Sequence, residues 1–274
     1  MSKIITIYCE GTSGTHDYDI LEKTIDEIID SIQIEPIGSV RGAGAIIQHK
    51  ESREIFKSSF FIFFRDRDFD KEIPSEAKLE QDEVRKYFYY SYRNTIENYL
   101  FNTTHFFEFI EKENLNEAYL IHSEQNVKEK FIEAAENIKV YQAVRHSMGK
   151  IRTGNTNFGT KWTEKSGKLP KELDETYCIK MAMEKINTAK SITDNWTEEY
   201  FKEVYDSFLT QFDTEFMNNL DFLIYFQGKD FATSLKSILP NFPLKSYYKY
   251  AKKNFDYTKH IDLVELKELL ESNL

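Results

Sequence analysis

Short apolar runs alternate with helix-like segments over the first hundred residues. Residues 3–9 (KIITIYC), 34–37 and 60–64 have the length and side chains of strands, and residues 87–90 resemble a fourth. The run at 60–64 is apolar at every position, which is typical of a strand that is covered on both faces. The strand pattern therefore predicts a sheet with buried central members.

Helical periodicity fills the connections between these runs. Residues 17–32 carry apolar side chains at helical spacing, residues 43–57 form a second amphipathic stretch, and residues 95–101 predict a short helix. Strands that alternate with helices favour right-handed crossovers. The sequence therefore predicts an α/β fold with a doubly wound parallel sheet.

Strand signals fade beyond about residue 101. The remaining segments favour helices, at residues 104–112, 123–148, 175–190, 197–212, 231–239, 246–255 and 262–272. Residues 153–171, rich in Gly, Asn, Thr and Lys, predict an irregular connection. We therefore expect an α/β domain at residues 1–101 and a mostly α-helical C-terminal extension at residues 102–274.

Composition narrows the class of protein. The 274 residues are 41% hydrophobic and 15% aromatic, which is enough for a packed core and argues against general disorder. No apolar run approaches the roughly 18 residues that a membrane span needs, and the N-terminal residues lack signal-peptide regions. Two cysteines exclude a disulfide framework. No membrane association and a reducing cytoplasmic location are the expectation.

The charge is unevenly distributed. The chain has a net charge of −10, yet residues 145–171 contain seven Lys or Arg and one Glu, a local net charge of +6. Cations neutralise phosphates and exposed aromatic rings stack on unpaired bases, so this basic segment is the best candidate for binding nucleic acid. The candidate residues are Arg145, Lys150, Arg152, Lys161 and Trp162. A solvated loop and a contact surface for an acidic partner subunit are the alternatives.

A glycine-rich turn follows the second strand. The stretch IGSVRGAGAI matches neither a P-loop nor the G-x-G-x-x-G fingerprint. It predicts a tight turn, with phosphate binding by backbone N–H groups and Arg41 as the functional alternative.

Carboxylates stand at the ends of two predicted strands. Glu10 and Gly11 close the first strand, and Asp66 and Asp68 follow the third in the stretch SFFIFFRDRDFD. In parallel α/β sheets, ligands bind at the carboxyl ends of the strands. If strands one and three are neighbours, Glu10 can approach the two aspartates, and clustered carboxylates repel unless a cation lies between them. Ligation by oxygen alone favours Mg²⁺ or Mn²⁺ over Zn²⁺. A turn followed by a helix cap is the ordinary alternative.

The order Glu-Gly after strand one and Asp-x-Asp after strand three resembles the TOPRIM domain, which topoisomerases, primases and OLD-type nucleases share. Four stretches carry the resemblance, which is strongest over residues 1–100: the Glu-Gly pair, IFFRDRDFD, RNTIENYLF and QAVRHSMGKIR. The last three are similar to the AriB-type TOPRIM effectors of PARIS anti-phage systems. The resemblance therefore implies a TOPRIM fold.

The TOPRIM pattern implies a role for each matching residue. Glu10 becomes the catalytic acid/base or a metal ligand, and Asp66 and Asp68 become Mg²⁺ ligands. Asp70 either adds a water-mediated metal contact or serves as a turn or cap. Glu97 matches a glutamate of the narrower family and would reach the metal from the short helix, with a solvated helix glutamate as the alternative.

The resemblance also implies a function. It points to a metal-dependent endonuclease that cleaves RNA, with tRNA as the candidate substrate, as a toxic effector in anti-phage defence. It further implies an ABC-type ATPase partner subunit and a homodimer. An OLD-like DNA nuclease with the same metal chemistry is the alternative enzyme, and a non-catalytic TOPRIM scaffold is the alternative from another class.

Overall fold

A computed structural model describes residues 5–38, 43–52, 60–152, 159–160, 162–163, 167–189 and 197–274. The chain divides into two compact units. The first comprises Met1–Arg67, Pro74–Leu100 and Ala251–Leu274, and the second comprises Asp68–Ile73 and Phe101–Tyr250. The C-terminal 24 residues thus belong to the same unit as the N-terminal strands, and a short segment after the third strand belongs to the helical unit.

The first unit is built on a five-stranded sheet of order β2-β1-β3-β5-β4. β1, β2, β3 and β5 run parallel, and only β4 pairs antiparallel, with β5. The bounds are β1 Ile5–Cys9, β2 Ile32–Pro36, β3 Phe61–Arg65, β4 Glu80–Gln81 and β5 Phe88–Tyr90. The prediction of an α/β fold is confirmed as a mostly parallel sheet followed by a largely helical region. The sequence did not predict β4, because two residues are too few to show a strand pattern.

The central strands β1 and β3 are buried as the apolar runs predict. Every residue of β1 is buried, and so are the first four residues of β3. On one face, Tyr8, Phe61 and Phe63 pack with Ile46 and Ile47 of the helix α2 (Ala43–Ser52). Burial of these large rings, worth roughly 1.5–3 kcal/mol each, fixes the register of the strands.

The first helix is shorter than its sequence pattern predicts. Helix α1 spans His16–Thr24, a 3₁₀ helix spans Asp26–Ser31, and β2 begins at Ile32. The isoleucines of this stretch meet helical spacing, but they are β-branched, and β-branching favours extended backbone where a sheet can receive it. A second 3₁₀ helix covers Ile96–Leu100.

The helical unit has a core made largely of aromatic side chains. Phe101, Phe106, Phe131, Phe231 and Tyr247 are buried, and neighbouring ring centroids lie 4.7–6.2 Å apart. The helices with eight or more residues that begin in the region of residues 101–250 are α3 Thr103–Lys112, α5 Glu124–Glu136, α6 Lys139–Arg152, α7 Glu175–Ala189, α8 Glu198–Gln211, α11 Gly228–Ile238 and α12 Leu244–Lys253.

Shorter helices and the final helix complete the chain, namely α4 Asn116–Tyr119, α9 Thr214–Asn218, α10 Phe222–Tyr225 and α13 Ile261–Glu271. The single helix predicted over residues 123–148 is two helices, because the chain turns between Glu136 and Lys139. After this turn α6 packs against α7 and α8, whereas α5 packs against α3 and α11. In the described part of the chain, no helix combines the length and the apolar character needed to cross a membrane.

Candidate functional site

Glu10 lies at the carboxyl-end edge of the sheet. β1 and β3 are parallel neighbours with Tyr8 opposite Phe63, so Glu10 and Arg65, each two residues further, reach the same edge. An ion pair of 3.7 Å joins Glu10 Oε1 to Arg65 Nη2, and the Glu10 side chain is 41% exposed. The adjacency of strands one and three, on which the sequence argument depended, is therefore confirmed.

Gly11 makes the tight approach after Glu10 possible. A Cβ atom at this position would lie 2.1 Å from Thr15 Oγ1. That hydroxyl donates to the carbonyl of Thr12 at 2.6 Å and closes the turn before α1, whose first turn contains Asp17. The Glu-Gly pair thus has a local geometric cause in addition to any chemical one.

Asp66 follows the last residue of β3 and contacts the short helix. Its Oδ1 atom accepts a hydrogen bond of 2.8 Å from the backbone N–H of Ile96, the first residue of the 3₁₀ helix Ile96–Leu100. Glu97 comes next and is only 4% exposed, so it does not lie on a solvated helix face. The cap therefore ties Asp66 to the segment that carries the buried Glu97.

Arg67, between Asp66 and Asp68 in the sequence, is anchored within the first unit. Its guanidinium is fully buried, donates from Nε to the carbonyl of Ser91 at 3.0 Å, and forms an ion pair of 2.6 Å with Glu80. This role of Arg67 was not predicted from the sequence. The available signal was the RDRD alternation, because side chains one residue apart in extended chain project to opposite sides.

Asp68 and Asp70 belong to the second unit and have partners there. Asp68 adopts left-handed backbone (φ 48°), and its Oδ1 accepts from Gln227 Nε2 at 3.3 Å. Asp70 forms an ion pair with Arg152. Lys150, which is exposed, pairs with Glu72 at 3.2 Å. Two cations of the predicted basic segment thus contact acidic residues of the stretch Asp68–Ile73.

Arg145 lies in the interior of the helical unit and not on its surface. It is 3% exposed and forms an ion pair with Asp230. It also donates to Gln227 Oε1 at 2.8 Å and to the carbonyl of Thr160 at 3.2 Å. Gln142 completes the network by donating to Asp230 Oδ2 at 2.9 Å. The network holds Gln227, which in turn contacts Asp68, so Arg145 positions the loop through Gln227.

The remaining residues predicted to bind substrate are placed as follows. Trp162 is half-buried and packs edge-on against Tyr141, with 5.0 Å between the ring centroids. Arg41 and Lys161 lie outside the described residues.

The donor chemistry of the sheet edge suits a hard cation. Glu10, Asp66 and Glu97 offer oxygen atoms only, which matches the preference of Mg²⁺, and Mg²⁺ sites commonly use one or two carboxylates with water and substrate phosphate. Across the part of the chain that the structure describes, no three His, Cys, Asp or Glu side chains are close enough to form a metal-binding group. The chemistry of the donors therefore fits a hard cation that takes few carboxylates from the protein.

Neither cysteine is a nucleophile in this structure. Cys9 and Cys178 are free thiols in the core, and burial raises the pKa of each to about 12. Both thiols are therefore protonated at neutral pH, and catalysis by a thiolate is excluded at these positions.

His146 is a buried neutral base in the helical unit. Burial, together with the charge of Arg145, lowers its pKa to about 4, although its hydrogen bond of 2.9 Å with the carbonyl of Tyr225 raises the pKa in part. Since that carbonyl only accepts, Nε2 carries the proton of the neutral ring. The imidazole is therefore uncharged at neutral pH.

Acid should destabilise the protein through His146. The unfolded imidazole takes up a proton near pH 6.5 and the folded one only near 4, so its contribution is complete above about pH 6.5 and is lost as the pH falls toward 4. The loss is on the order of 3 kcal/mol. We expect the free energy of unfolding in urea to fall less steeply over this range in His146→Gln, which keeps a donor for Tyr225. Equal slopes for the two proteins would contradict the assignment.

No protein-family model and no curated protein matches this sequence.

Proposed function

We propose that this protein is a magnesium-dependent nuclease of the TOPRIM type that cleaves RNA, with tRNA as the expected substrate. The observation that carries the proposal is the position of Glu10 and Asp66 at one edge of adjacent parallel strands, with the buried Glu97 in the 3₁₀ helix from whose first N–H group Asp66 accepts a hydrogen bond. Carboxylates at the carboxyl ends of parallel strands are where an α/β fold binds its ligand.

Each residue of this edge has a distinct part in the proposed chemistry. Asp66 would hold Mg²⁺, which would supply charge stabilisation at the scissile phosphate and its leaving oxygen. The exposed part of Glu10 is accessible to a water molecule or a leaving group, so it is the residue we assign to proton transfer. Arg65 orients Glu10 through their ion pair. Asp68 and Asp70 remain ligands predicted from the sequence.

The resemblance to AriB-type effectors extends the proposal beyond the chemistry. We propose a toxic role in anti-phage defence in the cytoplasm, restrained by an ABC-type ATPase partner, with a homodimer as the active form. The net charge of −10 disfavours non-specific binding to DNA, which agrees with this proposal.

The test is cleavage of a purified tRNA pool and of plasmid DNA by the purified chain, with Mg²⁺ and with excess EDTA. We expect Mg²⁺-dependent cleavage of tRNA, complete loss in EDTA, and recovery when Mg²⁺ is restored. Cleavage of the plasmid but not of RNA would transfer the proposal to an OLD-like DNA nuclease. Cleavage that persists in EDTA would contradict the metal mechanism.

A non-catalytic TOPRIM scaffold is the second candidate, and one observation favours it. One carboxylate oxygen of Asp66 accepts a hydrogen bond from the first N–H group of the 3₁₀ helix, as it would in an aspartate with a purely structural role. On that reading, expression of the protein would alter cell growth without any Mg²⁺-dependent cleavage, and removing the charge of Asp66 would leave the growth effect intact.

A further inference from the structure

The helical unit contains a cleft that the proposed chemistry does not use. The cleft has a volume of about 220 Å³ and lies between the stretch Phe69–Ile73, the C-terminal half of α6, and α8. Tyr225 of α10 completes its lining. A cleft of this size fits a small ring-shaped ligand better than it fits a folded polypeptide segment.

Aromatic rings form the walls of this cleft. His146 stacks on Phe208, with 5.1 Å between centroids and 29° between planes. Phe69 meets the edge of His146 at 4.8 Å, and the ring of Tyr225 lies 6.0 Å away. Phe69 and His146 are themselves buried, so the ring surface that a ligand can meet is that of the half-buried Phe208 and Tyr225. Rings of this kind bind other flat rings by stacking, and every nucleobase has such a face.

Gly149 allows α6 to pack closely against the Phe69 segment at the floor of the cleft. A Cβ atom at this position of α6 would lie 2.4 Å from the backbone carbonyl oxygen of Phe69. The helix and the Phe69 segment therefore pack backbone to backbone, and any side chain at residue 149 would push Phe69 out of place. The aromatic wall is thus set by a close approach that only glycine permits.

Charges at the cleft are balanced. The lining includes Lys71 and Lys150 against Asp70 and Glu72, and the Lys150–Glu72 ion pair measures 3.2 Å. An isolated phosphate would meet as much repulsion as attraction there. A ligand with both donors and acceptors and no net charge gains from both signs, because carboxylates accept from exocyclic amino groups and ammonium groups donate to ring carbonyls.

From these features we propose that the cleft binds one unpaired nucleobase, stacked on the Phe208 side and hydrogen-bonded by the polar rim. The source of the base, a strand of the RNA substrate, rests on the proposed function. Single-stranded RNA is recognised by splaying bases out of the stack onto aromatic side chains. Lys150 lines the cleft and is exposed, and it would exchange its ion pair with Glu72 for a backbone phosphate that flanks that base.

The test fills the cleft without disturbing the core. Ser207 is exposed and lines the cleft, and its hydroxyl donates to the carbonyl of Val204 in its own helix, so Ser207→Trp places an indole where the base would lie. Thr210→Trp puts the same side chain at an exposed position of α8 that does not line the cleft. Binding of short fluorescein-labelled single-stranded RNA is measured by anisotropy in EDTA, so that cleavage plays no part.

We expect Ser207→Trp to weaken RNA binding by about tenfold or more, as the loss of one stacked base does, and Thr210→Trp to bind like the wild type. If uridine or adenosine competes with RNA for the wild type but not for Ser207→Trp, the cleft also binds a free nucleoside. If neither nucleoside competes and Ser207→Trp still weakens RNA binding, the ligand is a base within the RNA strand. Wild-type RNA binding by Ser207→Trp would overturn the proposal.

The outcomes separate this inference from the proposed nuclease. If the wild type binds RNA and Ser207→Trp does not, the proposed base-binding cleft is supported even when no cleavage is found. If Mg²⁺-dependent cleavage occurs and Ser207→Trp binds and cleaves as the wild type does, the nuclease stands and the cleft does not bind the base.

Discussion

Asp66→Asn is expected to lower Mg²⁺-dependent cleavage by roughly a hundred- to a thousandfold while leaving the protein folded. A metal that stabilises the transition state contributes several kcal/mol, and each 1.4 kcal/mol is tenfold in rate. Asparagine keeps an oxygen at the Oδ1 position, which can still accept from the Ile96 N–H. The substitution therefore removes the charge but not the cap, and the free energy of unfolding should fall by no more than about 1 kcal/mol.

Two companion variants make this prediction specific. Asp66→Ala removes both charge and cap, so it should lose activity and an additional stability of about 1 kcal/mol. Glu10→Gln should also lose activity at little cost in stability, because its ion pair with Arg65 is long, at 3.7 Å, and partly exposed on the Glu10 side. Full cleavage by Asp66→Asn, with reduced stability in Asp66→Ala, would show that Asp66 serves only as a cap.

The sheet and its carboxylate edge could be predicted because they depend on local pattern. β1 is rich in β-branched side chains and β3 begins with four apolar residues, so both show a strand pattern. Parallel strands bring the residues that follow them to one edge, which is how Glu10 and Asp66 were predicted to lie there. Their adjacency in the sheet required only that strand two lie on the other side of strand one, as it does. Glu97 required the narrower resemblance, since no periodicity marks it as buried.

The grouping of the chain into units could not be predicted, because it depends on contacts between distant residues. Asp262 of α13 is buried, accepts from the backbone N–H of Tyr92 at 2.8 Å, and bonds with the hydroxyl of Tyr99. These contacts hold the last helix within the first unit and span more than 160 residues of sequence. Nothing in the helical pattern of residues 262–272 indicates which unit that helix covers.

The burial of a charged residue in the basic segment could not be predicted either, because it also depends on a contact between distant residues. A run of Lys and Arg predicts a cationic surface, yet Arg145 has its own acid 85 residues later, at Asp230. Charge counting along the sequence cannot separate a surface cation from one that is neutralised inside. The signal that sequence reasoning could have used is the helical position of Arg145, which lies among Ala143, Val144 and Met148, all fully buried.

Asp230→Ala is expected to lower the free energy of unfolding by about 3–5 kcal/mol, because it leaves the buried guanidinium of Arg145 without its counter-ion. Gln142 would lose its acceptor at the same time. Urea unfolding, followed by tryptophan fluorescence and circular dichroism, measures the change.

The double variant Arg145→Met/Asp230→Leu decides whether the cost comes from the charge or from the shape of the site. Since it buries no ion, it should recover most of the stability lost in Asp230→Ala. It would still leave Gln227 without the donor that holds its Oε1, so Asp68 would lose a fixed partner while the fold is restored. A loss below about 1 kcal/mol in Asp230→Ala would mean that the pair is hydrated and that Arg145 is accessible to phosphate, as the basic segment first suggested.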